Sequence, residues 1–139
     1  MKSNIFLVLF CISIVCFGLE TFSLGQNCSV TTPVFNIISF YASPNPPTNC
    51  AAQNVIMIGN FNQNACPGEI LITETYNQNT NYNQVNNTLI GCYNPGQNET
   101  YKFAIDPMHC ISGNYVIQIK LLQQNPSQTL SCWQYQYNL

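Results

Sequence analysis

Few side chains in this sequence are suited to catalysis, and they are scattered. His109 is the only histidine and precedes Cys110 in a predicted loop, where a solvated residue is the ordinary expectation. Glu69 and Glu74 are five positions apart, which puts them on opposite faces of a strand and not in an acid pair. Ser131 lacks the Gly-x-Ser-x-Gly motif that exposes the nucleophile of lipases. We therefore expect a protein that is not an enzyme.

Cysteine spacing points to disulfides and not to a metal. The chain has eight cysteines, and Cys11 and Cys16 lie in an apolar N-terminal run. The closest two of the other six are 16 positions apart, whereas zinc sites use close Cys-x-x-Cys pairs. An even number of cysteines in a short exported chain predicts a disulfide framework. We expect no metal, no cofactor and three disulfides, which would use Cys28, Cys50, Cys66, Cys92, Cys110 and Cys132.

The N-terminal segment predicts export from the cytosol. Lys2 gives a positive start, residues 5–17 are apolar, and Ser23-Leu24-Gly25 offers small residues for cleavage. The apolar run is shorter than the roughly 20 residues that a membrane-spanning helix needs. We expect a signal peptide over residues 1–25, cleaved after Gly25 or alternatively after Gly18. One domain would follow over residues 26–139, secreted or in the endosomal or lysosomal lumen.

Charge is scarce, and the polar residues are mainly Asn and Gln. Charged residues make up 6% of the chain, and the formal net charge is −2. Binding to nucleic acid or to anionic membranes relies on clustered Lys and Arg, so both are disfavoured. Three Asn-x-Ser/Thr motifs predict N-glycosylation at Asn27, Asn86 and Asn98.

The elements that would position these groups are predicted to be short β-strands. In the final hairpin Tyr115, Ile117 and Ile119 share one face, and Trp133 and Tyr135 share a face of the return strand, because strand side chains alternate. No stretch beyond the N-terminal run shows a sustained helical period. Seven short strands predict an immunoglobulin-like antiparallel β-sandwich. The predicted strands are 35–41, 55–58, 69–76, 88–93, 101–105, 113–122 and 129–139, with a long polar loop over 77–87 and a turn over 94–97.

The alternating direction of these strands restricts the disulfide pairing. If the first strand starts at the top of the sandwich, Cys50 and Cys110 both lie at the bottom. A disulfide needs Cα atoms about 4.4–6.8 Å apart, so Cys50 is expected to pair with Cys110. Four cysteines lie at the top, and the preferred pairing among them is Cys28 with Cys132 and Cys66 with Cys92.

Motifs at both ends of the chain resemble those of a known family. The first are Phe35-Asn36-Ile37-Ile38 and Ser43-Pro44-Asn45-Pro46-Pro47; the last are Gly113-Asn114-Tyr115-Val116-Ile117 and Leu130-Ser131-Cys132-Trp133. They are similar to the Phe-x-Ile strand, Ser-Pro-x-Pro-Pro turn, Gly-x-Tyr-x-Val strand and Leu-x-Cys closing strand of the ML lipid-recognition family. That family includes the Niemann–Pick type C sterol carriers and phosphatidylglycerol/phosphatidylinositol transfer proteins. The resemblance spans residues 28–139.

The resemblance implies a two-sheet sandwich that carries a lipid between its sheets and catalyses nothing. Cys28 and Cys132 match the terminal cysteine pair of the family. The middle of the chain departs from the sterol carriers, which have a Cys-Pro motif after the fourth strand and a local disulfide in the first loop. Here Cys92 stands alone, and the remaining cysteines are spread along the chain, so the pocket mouth and the ligand are expected to differ.

Inward-facing apolar residues would line such a pocket, although each would serve equally as ordinary core. Buried tyrosines need hydroxyl partners, which a lipid hydroxyl or head group could supply, as could water or the backbone. The candidate lipid-binding residues are Phe35, Val55, Met57, Ile70, Ile72, Tyr101, Phe103, Ile105, Tyr115, Ile117, Ile119, Trp133 and Tyr135.

Three functions are compatible with these features. We expect a monomeric carrier of a sterol, phospholipid or similar lipid that makes transient contact with a membrane or a membrane protein. The alternative is a secreted adhesion or recognition module with a solid core. A disulfide-rich inhibitor with one rigid protruding loop is a third possibility.

Overall fold

The computed structural model describes residues 23–86, 89, 91–124 and 128–139, and in these residues the chain forms eight strands in two antiparallel sheets. One of the eight, β1, has only two residues, and the other seven are full strands. The prediction of an antiparallel sandwich of about seven strands is therefore confirmed. Residues 1–22 of the predicted signal peptide lie outside the described residues. The strands are β1 Gln26–Asn27, β2 Phe35–Ser43, β3 Gln53–Phe61, β4 Pro67–Tyr76, β5 Thr80–Asn86, β6 Asn98–Ile105, β7 Asn114–Gln123 and β8 Thr129–Asn138.

One sheet has five strands in the order β1-β8-β7-β4-β5, and the other has three in the order β2-β3-β6. The hydrophobic core lies between the two sheets and takes side chains from both. We call the end where β2, β4 and β6 begin the top, and the end where they finish the bottom. In the described residues, no helix is long and apolar enough to cross a bilayer.

The final hairpin has the alternation that its sequence predicts. Ile117 pairs with Tyr135 and Ile119 with Trp133 across β7 and β8, and all four side chains are buried. The intervening residues, such as Gln118 and Gln134, face away from the core, since strand side chains alternate. This hairpin forms the centre of the inner face of the five-stranded sheet.

A β-bulge in β2 buries an aromatic residue that strict alternation would expose. The register with β3 shifts between Ile37 and Ser39, so Ile38 is an extra residue and is 59% exposed. Phe35 and Phe40 are five positions apart, yet both are fully buried. The extra residue at the bulge moves Phe40 from the outer face of β2 to the inner face. The sequence prediction assumed strict alternation and therefore missed Phe40.

The predicted loop over 77–87 is wrong, because most of it is the edge strand β5. That strand pairs with β4 from Ile70–Asn86 to Tyr76–Thr80. This edge strand is held mainly by backbone hydrogen bonds to β4, and its side chains are largely Asn and Gln. It therefore lacks the apolar alternation by which strands are recognised in a sequence. The predicted turn shrinks to the residues after Tyr76, where Asn77 and Gln78 have positive φ.

The predicted strand over 88–93 is not formed in its described part. Residues 87, 88 and 90 lie outside the described residues. Tyr93 makes only an isolated antiparallel bridge to Ala65. Cys92 nevertheless lies at the top, where the prediction placed it, because it is bonded to Cys66 directly before β4.

The three predicted disulfides are confirmed. Cys28 is bonded to Cys132, Cys50 to Cys110 and Cys66 to Cys92, with Cα–Cα distances of 5.0, 5.5 and 4.1 Å. The first and third lie at the top, and the second joins two loops at the bottom. Disulfides of this number are typical of extracellular or lumenal proteins.

Side-chain and backbone hydrogen bonds join the two sheets along both sides of the sandwich. On one side the backbone N–H of Leu24 donates to the Phe40 carbonyl at 3.0 Å, and Trp133 Nε1 donates to the Leu24 carbonyl at 2.7 Å. Ser23 Oγ accepts a further bond from the Phe40 N–H. Residues 23–25, placed in the predicted signal peptide, therefore pack against the folded domain.

Candidate functional site

The predicted lipid-binding residues all lie in the core between the sheets. Each is less than one tenth exposed, and Trp133 is the most accessible at 9%. Those from the five-stranded sheet are on β4, β7 and β8, and those from the other sheet are on β2, β3 and β6. The sequence therefore identified one face of each sheet, although burial alone does not distinguish ligand contact from core packing.

Aromatic rings fill much of this interior. Phe40, which the sequence prediction missed, stacks against Trp133 with ring centroids 6.0 Å apart and lies 5.6 Å from the Tyr135 ring. Nearer the top, the Phe35 ring packs against Phe61 at 4.8 Å and against Tyr101 at 5.4 Å. The two sheets are thus in direct contact through their rings.

A buried pair of polar side chains joins the sheets near the bottom. The Tyr135 hydroxyl donates to Gln53 Oε1 at 2.8 Å, and Gln53 Nε2 donates to the Pro44 carbonyl at 2.7 Å. Gln53 is 1% exposed, so both polar ends of its amide have partners inside the protein. Burial is the main reason that the pKa of Tyr135 is raised above the ordinary tyrosine value.

A cleft of about 240 Å³ lies at the top, where β6 approaches the start of β4. We call it the edge cleft. It runs along the edge of β6, since the exposed Thr100 and Lys102 line it together with Tyr101, which also belongs to the core. Its lining residues are Pro67, Leu89, Tyr93, Glu99, Thr100, Tyr101 and Lys102.

The hydroxyl of Tyr101 is buried without a hydrogen-bond partner among the described residues. Tyr93 and Glu99 are its polar neighbours, and a contact with the Tyr93 hydroxyl, too poor in geometry to satisfy the buried group, also contributes to its raised pKa. Burial first, and then the charges of these two neighbours, raise the pKa of Tyr101 above the ordinary tyrosine value. Leaving a buried hydroxyl unsatisfied costs about 1–3 kcal/mol, so a ligand atom that bonded to it would be favoured.

Two other clefts lie away from the interior. The larger, of about 300 Å³, is lined by Leu24, Gln26 and the outward-facing side of β7 and β8 at Val116, Gln134 and Gln136. A smaller one, of about 130 Å³, lies beside Gly68 and Gln124. Neither opens between the apolar faces of the sheets.

Glu74 and His109 form a pair that the sequence prediction missed. His109 Nδ1 lies 3.4 Å from Glu74 Oε1, and the Met108 N–H donates to Oε2 at 3.3 Å. The expectation that His109 is simply solvated is wrong, since its side chain is only 25% exposed and that of Glu74 is 4% exposed. Glu74 follows Ile70 and Ile72 at alternate positions of β4, and this alternation indicated that its side chain faces inward with theirs.

In the residues described, no group of three or more His, Cys, Asp or Glu side chains is arranged to hold a metal ion. The fold and the disulfides define the class of this protein as a disulfide-bonded, all-β sandwich of two antiparallel sheets. A scan against protein-family models and a search of curated proteins return no match to the chain. The resemblance to the ML family therefore rests on its motifs alone and stays a prediction.

Proposed function

We propose that this protein is a secreted or lumenal carrier that holds a lipid, such as a sterol or a phospholipid, between its two sheets. The observation that carries the proposal is the Tyr101 hydroxyl, which is buried at the edge cleft and makes no hydrogen bond of good geometry beyond its contact with Tyr93. An amphipathic ligand has an apolar body for the core and a hydroxyl or head group for Tyr101.

The apolar interior would supply most of the binding free energy. Burial of apolar surface stabilises by about 25 cal/mol per Å², so covering about 300 Å² of a lipid contributes about 7 kcal/mol. Met57 lies fully buried in the core, and its flexible thioether side chain can adapt to ligands of different shape. The rings now filling the interior must move, so entry requires the sheets to separate at one side.

The β5–β6 side is where we propose that the sheets separate. There Gln84 Nε2 donates to the Ala104 carbonyl, and Gln84 Oε1 accepts from the Asp106 N–H, both at 3.1 Å. These two bonds are exposed, and they run along the same side as the edge cleft. Breaking them would widen the cleft without disturbing the backbone pairing within either sheet.

Trp133 provides a direct test, because it is the single tryptophan and lies between the sheets. We expect energy transfer from Trp133 to a fluorescent sterol, or quenching by a brominated phospholipid, that saturates at one lipid per protein. Tyr101→Phe should weaken binding of the hydroxyl-bearing or head-group-bearing ligand about tenfold. Tyr41→Phe, on the outer face, is the matched control and should bind as the wild type does. Absence of saturable transfer with both lipid classes would contradict the proposal.

A recognition module is the second candidate, and two observations favour it. The interior is filled by side chains, and apolar residues lie on the outer face of the three-stranded sheet. Tyr41 and Ile56 are cross-strand partners there, 39% and 38% exposed. This function predicts that Tyr41→Ala and Ile56→Ala abolish partner binding, whereas the carrier function predicts that lipid uptake survives both changes.

The predicted glycans fit the same proposed compartment. Asn98 and Thr100 are exposed at the start of β6, and Asn27 is exposed in β1. Asn86 is at the end of β5, and the other two residues of its motif lie outside the described residues. We propose that Asn27 and Asn98 are the accessible acceptors.

A further inference from the structure

Aromatic residues surround an acidic residue on the inner face of the five-stranded sheet near the bottom. In the strand register Glu74 pairs with Tyr82 on one side and with Ile117 on the other. Two positions further along β4, Tyr76 pairs with Tyr115. Because cross-strand partners share a face, the Glu74 carboxylate stands in a row beside Tyr82 and next to the ring of Tyr76.

The Glu74 carboxylate is buried and therefore needs a cationic partner. An ionised carboxylate out of contact with water is costly unless it is paired and hydrogen-bonded. Among the described residues, the ion-pair partner within 4 Å is His109, and the lysines are not in such contact.

His109 occupies the space between two tyrosine rings. Its ring is stacked on Tyr76, with centroids 5.4 Å apart and planes 10° apart, and lies 4.4 Å from the Tyr82 centroid. A cation is attracted to the face of an aromatic ring within about 6 Å of the centroid. A cation in the position of the imidazole would thus lie within cation–π distance of both the Tyr76 and the Tyr82 rings and beside the Glu74 carboxylate.

We propose that Glu74, Tyr76 and Tyr82 form a binding site for an organic ammonium group, and that His109 is its built-in occupant. Carboxylate and aromatic faces together suit a quaternary or methylated ammonium, whose spread charge prefers rings to water. His109 is partly exposed and lies in the loop that Cys110 attaches to Cys50, so its side chain can move out while the loop stays attached. A ligand would take the place of the imidazole.

This site is separate from the edge cleft, although Tyr115 and Ile117 of the proposed lipid-binding core are its cross-strand neighbours. It lies at the bottom of the sandwich, whereas the edge cleft lies at the top, and no residue lines both. The ammonium group could come from a free small molecule or from the head group of a choline lipid. We propose only that the site binds an ammonium group, and the experiments below distinguish these two sources.

The wild-type protein allows a first test, because the untagged chain has one histidine. Its ring protons give a single set of NMR signals that report on His109. We expect tetramethylammonium chloride to shift these signals saturably, while sodium chloride at equal ionic strength does not. Equal effects of the two salts would overturn the proposal.

Variants separate an ammonium site from a structural pair. His109→Ala removes the occupant, so we expect it to bind tetramethylammonium at least tenfold more tightly than the wild type in calorimetry. Adding Glu74→Gln or Tyr82→Leu to His109→Ala should remove that gain, and adding Glu69→Gln on the same strand should not. Near-ultraviolet circular dichroism confirms that each variant is folded.

Two results in folded variants would overturn the site. One is an affinity of His109→Ala no higher than that of the wild type, and the other is unchanged affinity after Glu74→Gln.

Vesicles identify the source of the ammonium group. Binding of His109→Ala to phosphatidylcholine but not phosphatidylglycerol vesicles supports a lipid head group, whereas binding of tetramethylammonium alone supports a free small molecule. Both outcomes are separable from the sterol or phospholipid uptake that tests the carrier function.

Discussion

Buried tyrosines carry much of the polar chemistry inside this protein. The hydroxyl of Tyr135 is bonded to Gln53, that of Tyr115 donates to the Ile111 carbonyl at 2.7 Å, and that of Tyr101 makes no hydrogen bond of good geometry. The first two hydroxyls hold loops and strands in place. The third meets only the Tyr93 hydroxyl among the described residues, and this is the hydroxyl that we propose binds a ligand.

These tyrosines predict how stability depends on pH. Burial raises the pKa values of Tyr101, Tyr135 and Tyr137 above the ordinary tyrosine value of about 10. In the folded state they stay neutral while the unfolded chain ionises, so unfolding releases protons and becomes easier as pH rises. We expect the free energy of unfolding to fall steadily above about pH 10, as measured by urea titration.

A matched variant checks the cause of this pH dependence. Tyr135→Phe removes one of the three groups, so its unfolding free energy should fall less steeply with pH than that of the wild type. Tyr41→Phe changes an exposed residue and should keep the wild-type slope. Stability that is constant up to about pH 11 would show that the buried hydroxyls are not held neutral.

Individual elements show where sequence patterns succeed and where they fail. Apolar alternation located β7 and β8, because hydrophobic residues there face a core on one side only. It failed at β5, where Asn and Gln side chains conceal a strand held by its backbone, and at β2, where a bulge changes the face between Phe35 and Phe40. Neither the pairing of an edge strand nor a bulge produces an apolar alternation that can be recognised in a single sequence.

At the same scale, the side of the sandwich between β5 and β6 governs how fast a lipid would enter. Gln84→Ala removes the two hydrogen bonds to Ala104 and Asp106. Each is worth about 1 kcal/mol, so we expect uptake of a fluorescent sterol to be about thirtyfold faster, with Trp133 as the reporter. Gln136→Ala, an exposed change on β8, should leave the rate unchanged. An unchanged rate in Gln84→Ala would mean that lipid enters elsewhere.

Across the whole molecule, chain direction was easier to predict than local structure. The three disulfide pairs followed from whether each cysteine lies at the top or the bottom, and that assignment survived the misplaced strand over 88–93. The pairing of Glu74 with His109 was not predictable, because it joins residues 35 positions apart through a loop without a pattern. Sites built from such loops require the folded structure.

The central claim is that the space between the two sheets belongs to a lipid. The protein purified from its own host should be examined by native mass spectrometry, followed by extraction and identification of any bound lipid. We predict a complex with one lipid molecule per chain, less populated in Tyr101→Phe. Protein that carries no lipid from its host and takes up neither sterol nor phospholipid afterwards would contradict the account.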